Sequence, residues 1–220
     1  MACDSFASVH PKDNVHGMFL SCLAVFVMSE QLSLPGFERT SAVDFLFFAL
    51  LLGAKDAPQI VKLRERLCEE NRLKGQQVAT NLLHISLHYV GEYDGLPRDV
   101  VERAKQAGAV ILAKPFDVVF DCVMSFNRKH DGRPLVLYPG DEVALLAFHA
   151  ALGEAMKNVG FRRITSHFKP HMTLLYGDRM LTRQAVEAVR WNVRDFVLVQ
   201  SLRGRGQSKY IQLARWPLRG

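Results

Sequence analysis

The sequence predicts an α+β fold of two lobes related by a pseudo-twofold axis, each made of β-α-β units with antiparallel sheets, flanking a central cleft. Three observations predict it. Strand-like and helix-like periodicities alternate along the chain. The order of elements in the first half recurs in the second, and one shift of 87 positions carries His84 onto His171 with the segments around it. The 220 residues, 49% apolar and 23% charged, suffice to bury a globular core.

Taken in order, residues 43–52 (VDFLFFALLL) are an unbroken apolar run ended by Gly53, the pattern of a buried strand, with Phe47 and Phe48 on opposite faces. Residues 56–71 carry Ile60, Leu63 and Leu67 at helical spacing among charges, an amphipathic helix stopped near Gly75. Residues 82–90 (LLHISLHYV) read as a strand closed by Gly91, and 98–106 as a short helix. Residues 116–126 (FDVVFDCVMSF) alternate, which places Phe116, Val118, Phe120, Cys122 and Met124 on one face of a strand. In the second half, 134–138 is a strand and 141–158 a helix with Asp141 as N-cap and Gly160 past its end. Then follow a strand at 171–176, a helix at 182–189, and a closing hairpin of 195–202 and 209–216 across Gly204 and Gly206.

Residues 43–218 are expected to form the bilobal domain and 1–42 an extension without a folding role, with translation starting at Met28. The apolar stretch at 18–28 is too short to span a bilayer and follows a long polar segment rather than a short basic one, so no membrane partner is expected. Cys3, Cys22, Cys68 and Cys122 form no CxxC pair, which argues against a zinc cage or a disulfide framework and fits a reducing cytoplasm. The formal charge of +6 favours an anionic partner, although a solvated basic surface is about as common a cause.

The chemistry-bearing motifs are His84-Ile85-Ser86-Leu87 and His171-Met172-Thr173-Leu174, one in each half at the matching place. On a strand, residues i and i+2 share a face, so each motif presents one imidazole and one hydroxyl together. That is the equipment for hydrolysing a cyclic phosphodiester. A water must lose a proton and a sugar oxygen must gain one, and two imidazoles titrating near neutral pH can do both without a metal. The hydroxyls of Ser86 and Thr173 can donate to the non-bridging oxygens, where charge accumulates. A single histidine on a strand is more often structural, but two at equivalent places carry the functional reading.

HISLHYVG (84–91) and KPHMTLL (169–175) resemble the paired signatures of the two-histidine phosphoesterases, and more narrowly those of the bacterial RNA 2′,3′-cyclic phosphodiesterases, also called 2′-5′ RNA ligases. The resemblance spans roughly residues 43–218. It implies a cofactor-free, monomeric enzyme acting on RNA with a 2′,3′-cyclic phosphate end or on a small nucleotide. In that family's scheme His84 is the proton donor and His171 the proton acceptor, and the residues themselves leave the two roles exchangeable. The family often has Arg or Lys five residues after the second His, where this chain has Tyr176. Tyr176 can then bind substrate by stacking or hydrogen bonding, and one of Phe47 and Phe48 can line the cleft and stack on a base. Lys169, Arg179 and His88 are candidate replacements for the missing cation, and Arg203, Arg205, Lys209 and Arg215 can follow an RNA backbone. The His84-x-x-x-His88 spacing is not read as a metal site, since the segment is strand-like and lacks a third ligand. Rivals to this reading are a relative that cleaves 2′-5′ oligoadenylate or a small cyclic nucleotide, and a non-catalytic RNA-binding module.

Overall fold

In a computed structural model of the chain, the described residues are 43–127, 133–164, 167–203 and 209–219. The expected extension at 1–42, with its apolar stretch and the Met28 start, the turn at 204–206 and Arg205 lie outside them, as does the side chain of Arg203. The Phe- and Leu-rich run forms β1 (Val43–Leu51), buried throughout residues 46–50, so it is a central strand apolar on both faces. Leu46, Phe48 and Leu50 are fully buried in the same core cluster that takes in Ile60, Leu63 and Leu67 of α1 (Ala57–Asn71). Each such side chain contributes about 1.5–3 kcal/mol on burial. α1 ends at Arg72 rather than at Gly75. Arg72 takes the left-handed conformation (φ 51°), and its N–H reaches the carbonyls of Cys68 and Glu69. Gly75 has a different task, because it opens the short strand β2 (Gly75–Gln77), whose backbone lies so close to Tyr176 and Gly177 that a Cβ would collide with them.

A 3₁₀ turn (Thr80–Leu82) leads into β3 (His84–Tyr93), followed by α2 (Arg98–Ala109), β4 (Phe116–Ser125), β5 (Arg133–Pro139) and α3 (Val143–Asn158). The chain then forms β6 (Met172–Gly177), β7 (Gln184–Val193), β8 (Asp195–Arg203) and β9 (Lys209–Pro217). The strands make one antiparallel sheet ordered β7-β4-β5-β6-β3-β1-β8-β9, with β2 also paired to β6. The two predicted lobes are therefore halves of one sheet. Between the motif strands β3 and β6 the ladder registers a single residue pair, Ile85 with Met172. Among the described residues, no helix is long and apolar enough to cross a membrane.

The shift of 87 holds for strand, helix and motif strand: it maps β1 onto β5, α1 onto α3, and β3 onto β6. It fails at the next element. The expected helix at 182–189 is part of β7, whose residues alternate over Val189, Trp191 and Val193 as they pair with the outer edge of β4. Its Ala and Glu residues favour a helix, but pairing with the edge of β4, which brings Val189, Trp191 and Val193 into the core, outweighs that preference. The face assigned to β4 is also corrected. An irregularity between Phe120 and Cys122 shifts the phase, so Val123 and Ser125 are buried and Met124 is only half-buried. The N-cap of α3 is Glu142 rather than Asp141 and makes no side-chain cap hydrogen bond; Asp141, one residue earlier, accepts the Val143 N–H through Oδ1 at 3.0 Å.

Candidate active site

Ile85 and Met172 are both fully buried on the helix side. Alternation on neighbouring antiparallel strands then turns His84, Ser86, His171 and Thr173 to the opposite face. The same register sets His84 across from Thr173 and Ser86 across from His171, with the two histidines diagonal to each other, so the cross-strand spacings are on the order of 5–8 Å. The rings are within electrostatic reach: the charge of His171 disfavours protonation of His84, adding to the larger effect of burial, and together they lower the His84 pKa against the upward pull of the Leu82 carbonyl.

Both imidazoles are held in the same way. His84 Nδ1 lies 2.7 Å from the Leu82 carbonyl oxygen, and His171 Nδ1 lies 2.8 Å from that of Lys169. A carbonyl can only accept, so each Nδ1 carries the proton and donates. Each Nε2 is therefore the nitrogen that can accept a proton when the ring is neutral or give one when it is charged. At His84 the Nε2 meets Ser86 Oγ at 3.0 Å. The first histidine is braced by Phe47 (ring centroids 5.6 Å) and Tyr210 (5.4 Å), the second by Phe126 (5.0 Å).

Each motif strand also bulges directly after its hydroxyl residue. Between Ser86 and Tyr89 the chain gains a residue on β1, and between Thr173 and Leu175 it gains one on β5. Two consecutive side chains thus enter the core in each half, Leu87 with His88 and Leu174 with Leu175. Beyond the bulges, Tyr89 and Tyr176 hold equivalent positions with equal exposure, 37% each. The equivalence of Tyr89 was legible in HISLHY against HMTLLY. The bulges and the two bracing carbonyls leave no such signal.

The remaining candidates separate clearly. Of the two phenylalanines, Phe48 packs in the core on Phe196 and Trp216, while Phe47 lies on the histidine face, nearly buried under His84 and Tyr210. His88 is corrected as a phosphate-clamping candidate, because the bulge turns it into the core, where it is 2% exposed. Lys169 is exposed, Arg179 pairs loosely with Asp178 (3.9 Å), and Arg215 is committed to Asp195 (2.7 Å). Thr173 is half-buried. Among the described residues, no group of three or more His, Cys, Asp and Glu is arranged to hold a metal ion.

Fold and site define a chain of two half-domains that bring a pair of His-x-Ser/Thr motifs to one face of an antiparallel sheet. Residues 53–205 match the family model of the 2′-5′ RNA ligase superfamily, and the chain belongs to that superfamily, whose members are phosphoesterases of the two-histidine type. Among solved structures it is similar to Escherichia coli LigT in apo form, with 26% identity and a TM-score of 0.62 over 81% of this chain and 99% of that one. The same protein complexed with 3′-AMP matches at 25% identity and a TM-score of 0.61, over 81% and 99%. TT0787 of Thermus thermophilus, at 21% identity, shares the fold with a TM-score of 0.64 over 80% and 98%. Among curated proteins no sequence match is found.

Proposed function

We propose that the chain hydrolyses RNA 2′,3′-cyclic phosphate ends to 2′-phosphates without a metal, with His84 as proton donor and His171 as proton acceptor. The observation that carries this reading is the pair of imidazoles on adjacent strands, each with its Nδ1 donating to a main-chain carbonyl, which makes Nε2 the nitrogen that exchanges a proton. Water gives a proton to His171 Nε2 as its oxygen attacks phosphorus. The bond from phosphorus to the 3′ oxygen breaks, and that oxygen takes a proton from His84 Nε2. Ser86 and Thr173 donate to the non-bridging oxygens, and Ser86 exchanges its contact with His84 for the phosphate. Tyr176 takes a base or phosphate, while Phe47 serves from beneath as the support of His84. With a 5′-hydroxyl in place of water as the attacking group, the same step breaks the bond to the 3′ oxygen and leaves a 2′-5′ linkage and a free 3′-hydroxyl.

The lowered pKa of His84 keeps its ring neutral in the free protein, and the negative phosphate must restore the proton before it can act as an acid. We further propose that residues 43–218 act as one monomeric catalytic domain in the cytoplasm, with 1–42 an extension. The free thiols of Cys68 and Cys122 fit a reducing setting. The test is a short oligonucleotide ending in a 2′,3′-cyclic phosphate, incubated with the protein and a chelator, with the product phosphate mapped. A 2′-phosphate is expected. Tight binding without turnover would make the protein an RNA-binding module, and faster turnover of 2′-5′ oligoadenylate would move the substrate.

A further inference from the structure

The second motif is approached by residues 167–170, a stretch without regular secondary structure. Within it, the Lys169 carbonyl must be placed accurately, because it sets which nitrogen of His171 carries the proton. The first motif has a 3₁₀ turn to perform that task at Leu82. At the second, among the described residues, a side-chain contact can perform it. Phe168, adjacent to Lys169, lies flat on the His149 ring of α3 (centroids 4.0 Å, interplanar 3°), and His149 in turn stacks on His88 of β3 (3.8 Å, 23°). The three rings link the approach to one motif with the strand bearing the other.

The stack is anchored at His88, whose Nε2–H donates to the His149 carbonyl at 2.8 Å. Space for it depends on Gly153, one turn along α3, where a Cβ would stand 3.2 Å from two atoms of the His88 ring. His149 is 5% exposed, yet its Nε2 has no partner. An unpartnered buried nitrogen is costly, and a position that only filled space would be served better by an apolar side chain. Neither ring enters the proposed chemistry, since His88 and His149 are on the core side of β3.

We propose that His149 is a positioning residue: by clamping Phe168 against His88 it fixes the Lys169 carbonyl and hence the Nδ1–H tautomer of His171. The proposal rests on the phosphoesterase reading for its effect on turnover, but the tautomer can be observed without substrate. Three variants separate the possibilities: His149→Ala, His149→Phe, which keeps a flat ring and removes the unpartnered nitrogen, and Phe168→Leu, which breaks the stack from the half-buried loop side. The His171 ring nitrogens are read by two-bond ¹H–¹⁵N correlation in the full chain, and kcat and KM on the cyclic-phosphate oligonucleotide.

In the parent chain and His149→Phe, His171 should show a protonated Nδ1 and an unprotonated Nε2. In His149→Ala and Phe168→Leu that signature should be replaced by exchange between tautomers. In those two variants kcat should fall about tenfold to a hundredfold, the scale expected when a reacting group is displaced by about 1 Å, with KM within about twofold. An unchanged His171 spectrum in Phe168→Leu overturns the proposal, and that variant decides the matter if His149→Ala does not fold. Absence of turnover in the parent chain would sink the cyclic-phosphate reading and leave the spectroscopic result on the stack standing.

Discussion

Ahead of His84 the chain is wound into a 3₁₀ turn closed by its own backbone hydrogen bonds, whereas ahead of His171 it runs as irregular structure pinned by a stacked phenylalanine. The end results match. Both rings give Nδ1 to a carbonyl two residues earlier, and both motif strands bulge immediately after the hydroxyl residue. The supports around them differ, since His84 leans on Phe47 and Tyr210 while His171 leans on Phe126. The difference teaches which parts of a duplicated site are constrained. Geometry at the reacting nitrogen is reproduced in each half, while the scaffolding behind it has diverged wherever a different local solution sufficed.

The largest effect expected is from removing either imidazole. His84→Ala and His171→Ala should each lose roughly 10²–10⁴ in kcat on the cyclic phosphate, the usual worth of a general acid or base, with unchanged far-UV circular dichroism. Their equivalence is then broken by a nitrophenyl ester, whose leaving group needs no proton. The variant lacking the acid should recover on that substrate and the variant lacking the base should not, and recovery of His171→Ala instead of His84→Ala would exchange the roles. Ser86→Ala and Thr173→Ala come next, on the order of a hundredfold each in kcat if both hydroxyls face the phosphate. A loss confined to one of them would mean that the phosphate sits off the pseudo-twofold axis.

Smaller again are Tyr89→Ala and Tyr176→Ala. Each should raise KM about tenfold, as expected for one stacked base, with kcat nearly kept. The smallest concerns stability. Burial and the neighbouring His88 push the pKa of His149 down to about 4 in the folded chain, from 6.5 when it is unfolded. The folded state therefore binds fewer protons between those values, and its stability falls as pH drops from 6.5 towards 4, by about 1.4 kcal/mol per pH unit. Melting curves at pH 7.5 and 5.5 should show this decline, and His149→Phe should reduce it to the part due to His84 and His88, whose pKa values burial also lowers; at this chain length the change corresponds to about 2–4 °C in Tm per kcal/mol.

The strand-helix-strand units were readable because their signals are local: unbroken apolar runs, helical spacing at Ile60, Leu63 and Leu67, and the paired His-x-Ser/Thr motifs. Misreadings arose where partners distant in sequence decide. The residues of β7 have no strand signal strong enough to outweigh Ala185, Glu187 and Ala188, and it is the open edge of β4 that makes them extended. His88 looked like an available cation because alternation from His84 and Ser86 puts it on their face. A bulge visible only in the pairing with β1 turns it inward. The carbonyls of Leu82 and Lys169 could not have been found at all, since every residue carries one and only the fold aims these two.

The strand order has a consequence for how the molecule is made. β1 pairs on one side with β3 and on the other with β8, and Phe47 beneath His84 is covered by Val197, Val199 and Tyr210. During synthesis both histidines precede that hairpin, so a nascent chain carries both proposed reacting groups on an unfinished platform. On the proposed mechanism, proton transfer must then wait for the hairpin, and a product truncated before residue 195 would keep both signatures while lacking the floor that steadies the first.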